Sequence, residues 1–181
     1  ATGAVEFKPA GMYGYDTYDR VLTQVELEKV FQSGKEAMDK FFKPQKVAMI
    51  QCVGAREDKP PRAYCSRICC MVAVKNAGII RQWYPDSEVY IIYQDMQTYG
   101  KDYEEHHQKA KETNIKFINY TKDRPPEVTP LPDNRLKVTV YHALLGQKRE
   151  LDCDLVVLST PLVPHESSKE LSKTLKVPLG Q

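Results

Sequence analysis

Short apolar runs alternate with helix-length segments in the middle of the chain, and this alternation constrains the fold more than any other feature of the sequence. Residues 46–53, 88–93 and 115–119 are rich in the β-branched and aromatic residues that buried strands favour. Residues 66–83 and 102–112 are long enough for helices and have helical patterning. The order strand–helix–strand–helix–strand predicts a parallel sheet flanked by helices, and therefore an α/β fold.

The segments before this unit are less regular. Residues 1–20 are rich in Gly, Pro and Tyr and predict an extended, loop-like entry. Thr23 and Glu26 have the spacing of a capping box, so a helix is predicted to about residue 32. The charged residues 35–45 are interpreted as a connector.

The segments after this unit predict a β-hairpin. Residues 124–133 hold four prolines and are predicted to be irregular. Residues 136–141 and 147–151 are then expected to pair around Gly146. Residues 155–159 form a last apolar run and are predicted to be a buried strand.

Composition excludes several classes of partner. Of the 181 residues, 26 are basic and 24 are acidic, so the net charge of +2 gives no reason to expect nucleic acid or an anionic membrane. The longest apolar stretches, at 47–50 and 155–158, are far too short to cross a bilayer. No signal peptide is visible, and the five cysteines are an odd number. A clustered set in such a chain indicates metal or redox chemistry rather than structural disulfides.

Four of the cysteines fall at one predicted strand–helix junction. Cys52 ends the first strand, and Cys65 is expected near the start of the following helix. Cys69 would share a helical face with Cys65, and Cys70 would lie at the edge of that face. A helix N-terminus favours thiolates, and nearby arginines would favour an anionic iron–sulfur cluster. The fifth cysteine, Cys153, is interpreted as a packing residue.

Other interpretations of this junction remain open. A dinucleotide needs a glycine-rich turn here, but only Gly54 is present and Pro60 and Pro61 occupy the loop, so NAD(P)H is predicted to bind poorly. Structural zinc sites use four cysteines, although usually in paired knuckles, which the adjacent Cys69 and Cys70 fit poorly. Buried free cysteines can also simply pack as small hydrophobic residues.

Two segments around these cysteines carry a family resemblance. Residues 50–56 (IQCVGAR) and 64–71 (YCSRICCM) resemble the A subunit of heterodisulfide reductase, with its relatives in quinone-interacting and sulfur-metabolising complexes. Residues 99–105 and 154–159 are also similar to that family, and the opening Ala-Thr-Gly resembles the turn that leaves its flavin-binding half. The chain is therefore identified as an internal piece of such a protein.

The resemblance implies a redox function. It implies a thioredoxin-reductase-like fold, in which this piece is the NAD(P)-domain-like insert of an FAD-dependent pyridine nucleotide-disulfide oxidoreductase. It implies electron transfer through FAD and a 4Fe–4S cluster in a cytoplasmic complex, in some members by electron bifurcation. Expected partners are the other heterodisulfide-reductase subunits, with a donor such as a hydrogenase or ferredoxin. The implied metal ligands are Cys52, Cys65, Cys69 and Cys70, and the implied flavin contacts are Thr2, Gly3, Ser159 and Thr160.

The resemblance also predicts three parts and one absence. Residues 1–45 would be the exit from the flavin domain with a linker helix, 46–160 a Rossmann-like domain carrying the cysteines, and 161–181 the return segment. The chain lacks the Gly-x-Gly-x-x-Gly flavin fingerprint, and Thr160-Pro161 stands where relatives usually have a glycine. FAD is thus expected in the parent but largely absent from this piece, which would be inactive alone. The alternative function is a zinc- or thiol-stabilised domain that helps subunits to assemble.

Overall fold

A computed structural model describes residues 3–41, 43–98 and 100–178. The elements, in chain order, are β1 (Ala4–Glu6), β2 (Val21–Thr23), α1 (Gln24–Gln32), α2 (Lys35–Phe41), β3 (Lys46–Ile50), α3 (Cys69–Trp83), β4 (Glu88–Tyr93), α4 (Tyr103–Glu112), β5 (Ile115–Asn119), β6 (Glu127–Pro130), β7 (Leu136–His142), β8 (Gln147–Cys153), β9 (Leu155–Leu158), β10 (Leu162–Pro164) and α5 (Ser167–Leu175).

A five-stranded parallel sheet is the centre of the molecule. Its spatial order is β2-β9-β3-β4-β5, and every neighbouring pair is parallel. All four residues of β9 are buried, as expected for a central strand of a sheet that is covered on both faces. The α/β fold with a parallel sheet, predicted from the alternation of apolar runs and helices, is therefore confirmed.

Different layers cover the two faces of this sheet. On one face, Val47 and Met49 of β3 pack with residues of the helices, among them Leu27 and Val74. On the other face, the alternate residues Ala48 and Ile50 pack against the antiparallel sheet β6-β7-β8. Alternation along one strand thus divides the core into two clusters.

Several elements have the predicted bounds. Strands β4 and β5 match the predicted ranges, and β7 and β8 form the predicted hairpin. Helix α1 begins at the predicted capping box, in which Oγ1 of Thr23 accepts from the Glu26 N–H and the Glu26 carboxylate accepts from the Thr23 N–H. These predictions depend on local patterning, which the packed structure retains.

Two segments predicted to be irregular contain regular structure. The supposed connector holds helix α2, anchored by the fully buried Met38. The proline-rich segment holds β6, an edge strand that pairs with β7 alone. Its prolines are tolerated because an edge strand needs hydrogen bonds on one side only, and Pro130 is its last residue.

Three short strands join the ends of the chain to the central unit. Strand β2 pairs with β9 at the sheet edge, and β1 forms an antiparallel ribbon with β10. The predicted division at residues 45 and 160 stays a prediction. None of the helices in the described parts of the chain is both long and apolar enough to cross a bilayer.

Candidate metal centre

The loop between β3 and α3 carries the four clustered cysteines. Cys52 follows the end of β3 and has a φ of 62°, a left-handed conformation that is uncommon for a residue with a side chain. Cys69 and Cys70 are the first two residues of α3. The loop therefore starts at the carboxyl edge of the sheet and returns to a helix N-terminus, where free backbone N–H groups favour anions.

Helix α3 begins later than predicted. Residues 66–68 lie outside the helix, and Arg67 has a φ of 66°, which a right-handed helix does not allow. Cys65 therefore lies in the loop, and the prediction that Cys65 and Cys69 share a helical face is wrong. The approach of Cys65 depends instead on how the loop folds back.

Backbone and side-chain contacts fold the loop back. The Arg56 N–H donates to the Tyr64 carbonyl at 3.1 Å, which closes the excursion between these residues. The Tyr64 hydroxyl donates to the Leu162 carbonyl at 2.6 Å, and the Ser66 hydroxyl accepts from the Leu162 N–H at 2.9 Å. Strand β10 thus holds the stretch on both sides of Cys65.

Gly54 and Phe7 fix the start of the loop. Gly54 has a φ of +70°, and a Cβ there would lie 2.4 Å from the Phe7 ring, so only glycine fits without displacement. The Arg62 guanidinium lies 4.3 Å from the centroid of the same ring and donates to the Gly54 carbonyl. Arg62 also pairs with Glu57 at 2.6 Å.

The four thiols influence one another electrostatically. Burial, chiefly, raises the pKa of Cys52 to about 11 and that of Cys69 to about 12. Burial also raises the pKa of Cys70, whereas a backbone hydrogen bond from Gln97 lowers it. Repulsion between charges at each of the six pairs among Cys52, Cys65, Cys69 and Cys70 adds to these increases. Such mutual repulsion is strongest when thiolates gather in one partly buried place.

Three of the thiols also have a local contact. The Cys69 Sγ donates to the Thr160 carbonyl at 3.3 Å, and the Cys70 Sγ lies 3.8 Å from the Asp95 carbonyl. The Cys65 Sγ accepts from the Arg67 N–H at 3.3 Å. Within residues 3–41, 43–98 and 100–178, no three Cys, His, Asp or Glu side chains form a preassembled metal-binding group. The role of the thiols as ligands remains a prediction.

Arg56 extends its guanidinium into this group of thiols. Its Nη2 donates to Asp95 at 2.7 Å, and its positive charge lowers the pKa of Cys52 against the larger effect of burial. Its Nη1 is buried and has no partner at hydrogen-bonding distance among the described residues. An open cavity of about 510 Å³ adjoins it, lined by Arg56, Cys65, Arg67 and Gln97.

Cys153 lies apart from this group. It is fully buried at the end of β8, and its Sγ contacts the Leu151 carbonyl at 3.6 Å. It belongs to the core cluster between the parallel and antiparallel sheets, as the sequence predicted.

The predicted flavin contacts lie on two different parts of the chain. Ser159 is buried, and its hydroxyl accepts from the Gln24 amide at 3.0 Å. Thr160 is buried next to it, with an Oγ1 that has no hydrogen-bond partner among the described residues. The Gly3 carbonyl accepts from the His165 N–H, at the opposite end of the β1–β10 ribbon from Thr160. Thr2 lies outside the described residues.

Sequence reasoning missed Asp95 and Gln97. Both follow β4, the strand beside β3, and loops from the carboxyl ends of adjacent parallel strands meet at one edge of a sheet. That rule contained the signal, but neither residue belongs to a recognisable motif.

The chain is similar to curated proteins over nearly its whole length. No protein-family model matches it. It is 43% identical over 176 residues to the iron-sulfur A subunit of CoB–CoM heterodisulfide reductase from Methanocaldococcus jannaschii, covering 93% of this chain and 26% of that protein. It is 39% identical over 184 residues to the A subunit of the H2:CoB–CoM heterodisulfide,ferredoxin reductase from Methanothermobacter thermautotrophicus, covering 97% of this chain and 28% of that protein.

This segment belongs to the family of heterodisulfide reductase A subunits. The resemblance predicted from the cysteine segment is therefore confirmed. The chain spans little more than a quarter of the length of these curated relatives.

Solved structures support the fold of this heterodisulfide reductase segment. L-lysine 6-monooxygenase from Pseudomonas syringae matches with a TM-score of 0.57 at 11% identity, covering 90% of this chain and 45% of that one. Ornithine N-hydroxylase of Kutzneria sp. 744, solved with reduced FAD and NADP+, matches with a TM-score of 0.55 at 13% identity, covering 99% and 48%. The likeness extends to the fold alone.

Proposed function

We propose that Cys52, Cys65, Cys69 and Cys70 bind a 4Fe–4S cluster and that this segment transfers electrons within a heterodisulfide-reductase-type complex. The observation that carries the proposal is the mutual repulsion among all four thiols at one strand–helix junction. Thiols with a pKa of about 11 or 12 stay protonated at neutral pH unless a cation compensates their charge.

The surroundings fit an anionic cluster bound by four thiolates. The donor set is sulfur only, which suits iron–sulfur chemistry. The buried Nη1 of Arg56 has no partner among the described residues, and a thiolate or sulfide beside Cys52 would provide the missing acceptor. The N–H groups at the start of α3 and the backbone of Gln97 would add hydrogen bonds to sulfur. When bound, such a cluster accepts and releases one electron at a time.

The chain's own residues would orient and shield this centre. The Gly54 turn and the Phe7 ring fix the backbone next to Cys52, and β10 holds the stretch around Cys65. The Thr160 carbonyl fixes the Cys69 side chain. A preorganised loop of this kind limits rearrangement when an electron arrives or leaves.

The wider role follows from the relatives. One relative is named a ferredoxin reductase that uses H2, and another is named for ferredoxin and the CoB–CoM heterodisulfide. We infer that the parent protein works in the cytoplasm, carries FAD, and exchanges electrons with other reductase subunits, with a ferredoxin or hydrogenase as donor, in some complexes by bifurcation. Gly3, Ser159 and Thr160, together with Thr2, would then supply edge contacts to the flavin.

Anaerobic reconstitution with iron and sulfide tests the cluster. We expect about four iron and four sulfide per chain, broad visible absorption, and a paramagnetic signal on reduction. Cys69→Ser should lose most of the iron and the signal. Cys153→Ser should keep both, because that thiol lies in the core away from the loop.

Zinc provides the contrasting outcome. A chain that binds one colourless zinc with four thiols, and assembles no visible chromophore under the same conditions, would support a structural domain that helps subunits to assemble. Equal iron content in wild type and Cys69→Ser would contradict the ligand assignment.

A further inference from the structure

We infer that Arg56 is a positioning residue that sets the reduction potential of the metal centre by holding a fixed positive charge against Cys52. This inference rests on the proposed function and adds to it. It concerns a side chain that binds no iron, and it makes a claim about potential that cluster assembly alone does not test.

Three contacts fix the surroundings of Arg56. Its backbone N–H is bound to the Tyr64 carbonyl, and it has a φ of 55°. Its Nη2 is held by the Asp95 carboxylate at 2.7 Å. The Asp95 carbonyl lies 3.8 Å from the Cys70 Sγ, so the same residue anchors Arg56 and contacts a second thiol.

The orientation leaves one face of the guanidinium unused. Nη1 is buried and has no hydrogen-bond partner among the described residues, although a buried cationic donor without a partner is costly. Cys52 is the thiol that experiences the charge of Arg56 most directly. The geometry is that of a donor waiting for an anionic acceptor at the Cys52 position.

A fixed cation favours the more negative oxidation state of a nearby centre. Reduction adds one negative charge to the cluster, and the attraction to Arg56 is stronger in a partly buried site than in water. Arg56 therefore raises the reduction potential. The exposed side of the Asp95 carboxylate is solvated, so that ion pair offsets only part of the effect.

The test compares potentials of anaerobically reconstituted wild type and Arg56→Gln by spectroelectrochemical titration. Glutamine keeps a polar amide but removes the charge. We expect a lower potential in Arg56→Gln by about 59 mV, which corresponds to a tenfold change in the one-electron equilibrium constant. Arg56→Lys, which restores the charge but not the fork of donors, should recover most of the potential.

Arg149→Gln is the matched control. It removes the same charge from an exposed position on β8, and it should leave the potential at the wild-type value because distant exposed charges are screened. Equal potentials in wild type and Arg56→Gln, or equal shifts in Arg56→Gln and Arg149→Gln, would overturn the inference. Failure of wild type to assemble a cluster would instead contradict the proposed function.

Cluster content provides a second measurement. If Arg56→Gln assembles no cluster, Arg56→Lys should still reach wild-type iron content with a potential close to wild type. Loss of the cluster in both variants would show that the guanidinium shape holds the loop, and the inference about charge would fail.

Discussion

At the scale of single residues, the buried Cys153 thiol makes stability depend on alkaline pH. Burial raises its pKa from 9.0 to about 12, so the folded state favours the protonated thiol. Its contribution is complete below pH 9 and is lost as pH rises towards 12. Across this window the free energy of unfolding should fall by about 1.4 kcal/mol per pH unit from this group.

Cys153→Ala isolates that contribution. At pH 7 the variant should be less stable by about 1–2 kcal/mol, because a buried sulfur is replaced by a small cavity. Above pH 9 the difference between wild type and variant should shrink, since only wild type must ionise this thiol on unfolding. Urea unfolding at several pH values measures the difference, and a constant gap up to pH 11 would contradict the expected ionisation.

At the scale of elements, the cap of α1 ties the helix to the first strand of the chain. The Thr23 Oγ1 accepts from the Glu26 N–H and donates to the Glu6 carboxylate at 2.8 Å. Thr23→Ala should therefore cost about 1–2 kcal/mol in the free energy of unfolding, which urea titration measures. Thr23→Ser keeps the hydroxyl and is the control. If serine destabilises as much as alanine, the lost methyl rather than the cap accounts for the effect.

Elements with local signals were predictable from the sequence. Strands β4 and β5 are dense apolar runs, and the capping box marks the start of α1. Helix α2 was missed because one buried residue, Met38, anchors an otherwise polar segment. Strand β2 has three residues, and its partner Val156 is far away in sequence, so no local pattern announces it.

The candidate site was predictable to a similar degree. A strand end and a helix start meet in any β–α unit, so the sequence indicated where the cysteines lie. The left-handed Arg67 delays the helix, and the hydrogen bonds from Tyr64 and Ser66 to β10 position Cys65. Contacts between loops that are distant in sequence determine these features, and no spacing rule encodes them.

At the scale of the whole molecule, the metal centre would couple the sheet edge to the chain ends. The cysteine loop contacts β3, β10 and the loop after β4, so its order depends on three separate parts of the fold. Thr160, next to β10, contacts Cys69 directly. A cluster bound by four thiolates would close these parts together, and its binding energy would become folding energy.

Removing iron should therefore lower the thermal unfolding midpoint of the whole chain. Under anaerobic conditions the reconstituted protein should unfold at a higher temperature than chelator-treated protein, and Cys69→Ser should lose this increment while Cys153→Ser retains it. The increment should also shrink as pH falls, because Cys52 and Cys69, with pKa values of about 11 and 12 in the metal-free fold, must release protons to bind. An increment that is unchanged by pH, or that persists in Cys69→Ser, would mean that iron binds elsewhere and leaves the loop free of metal.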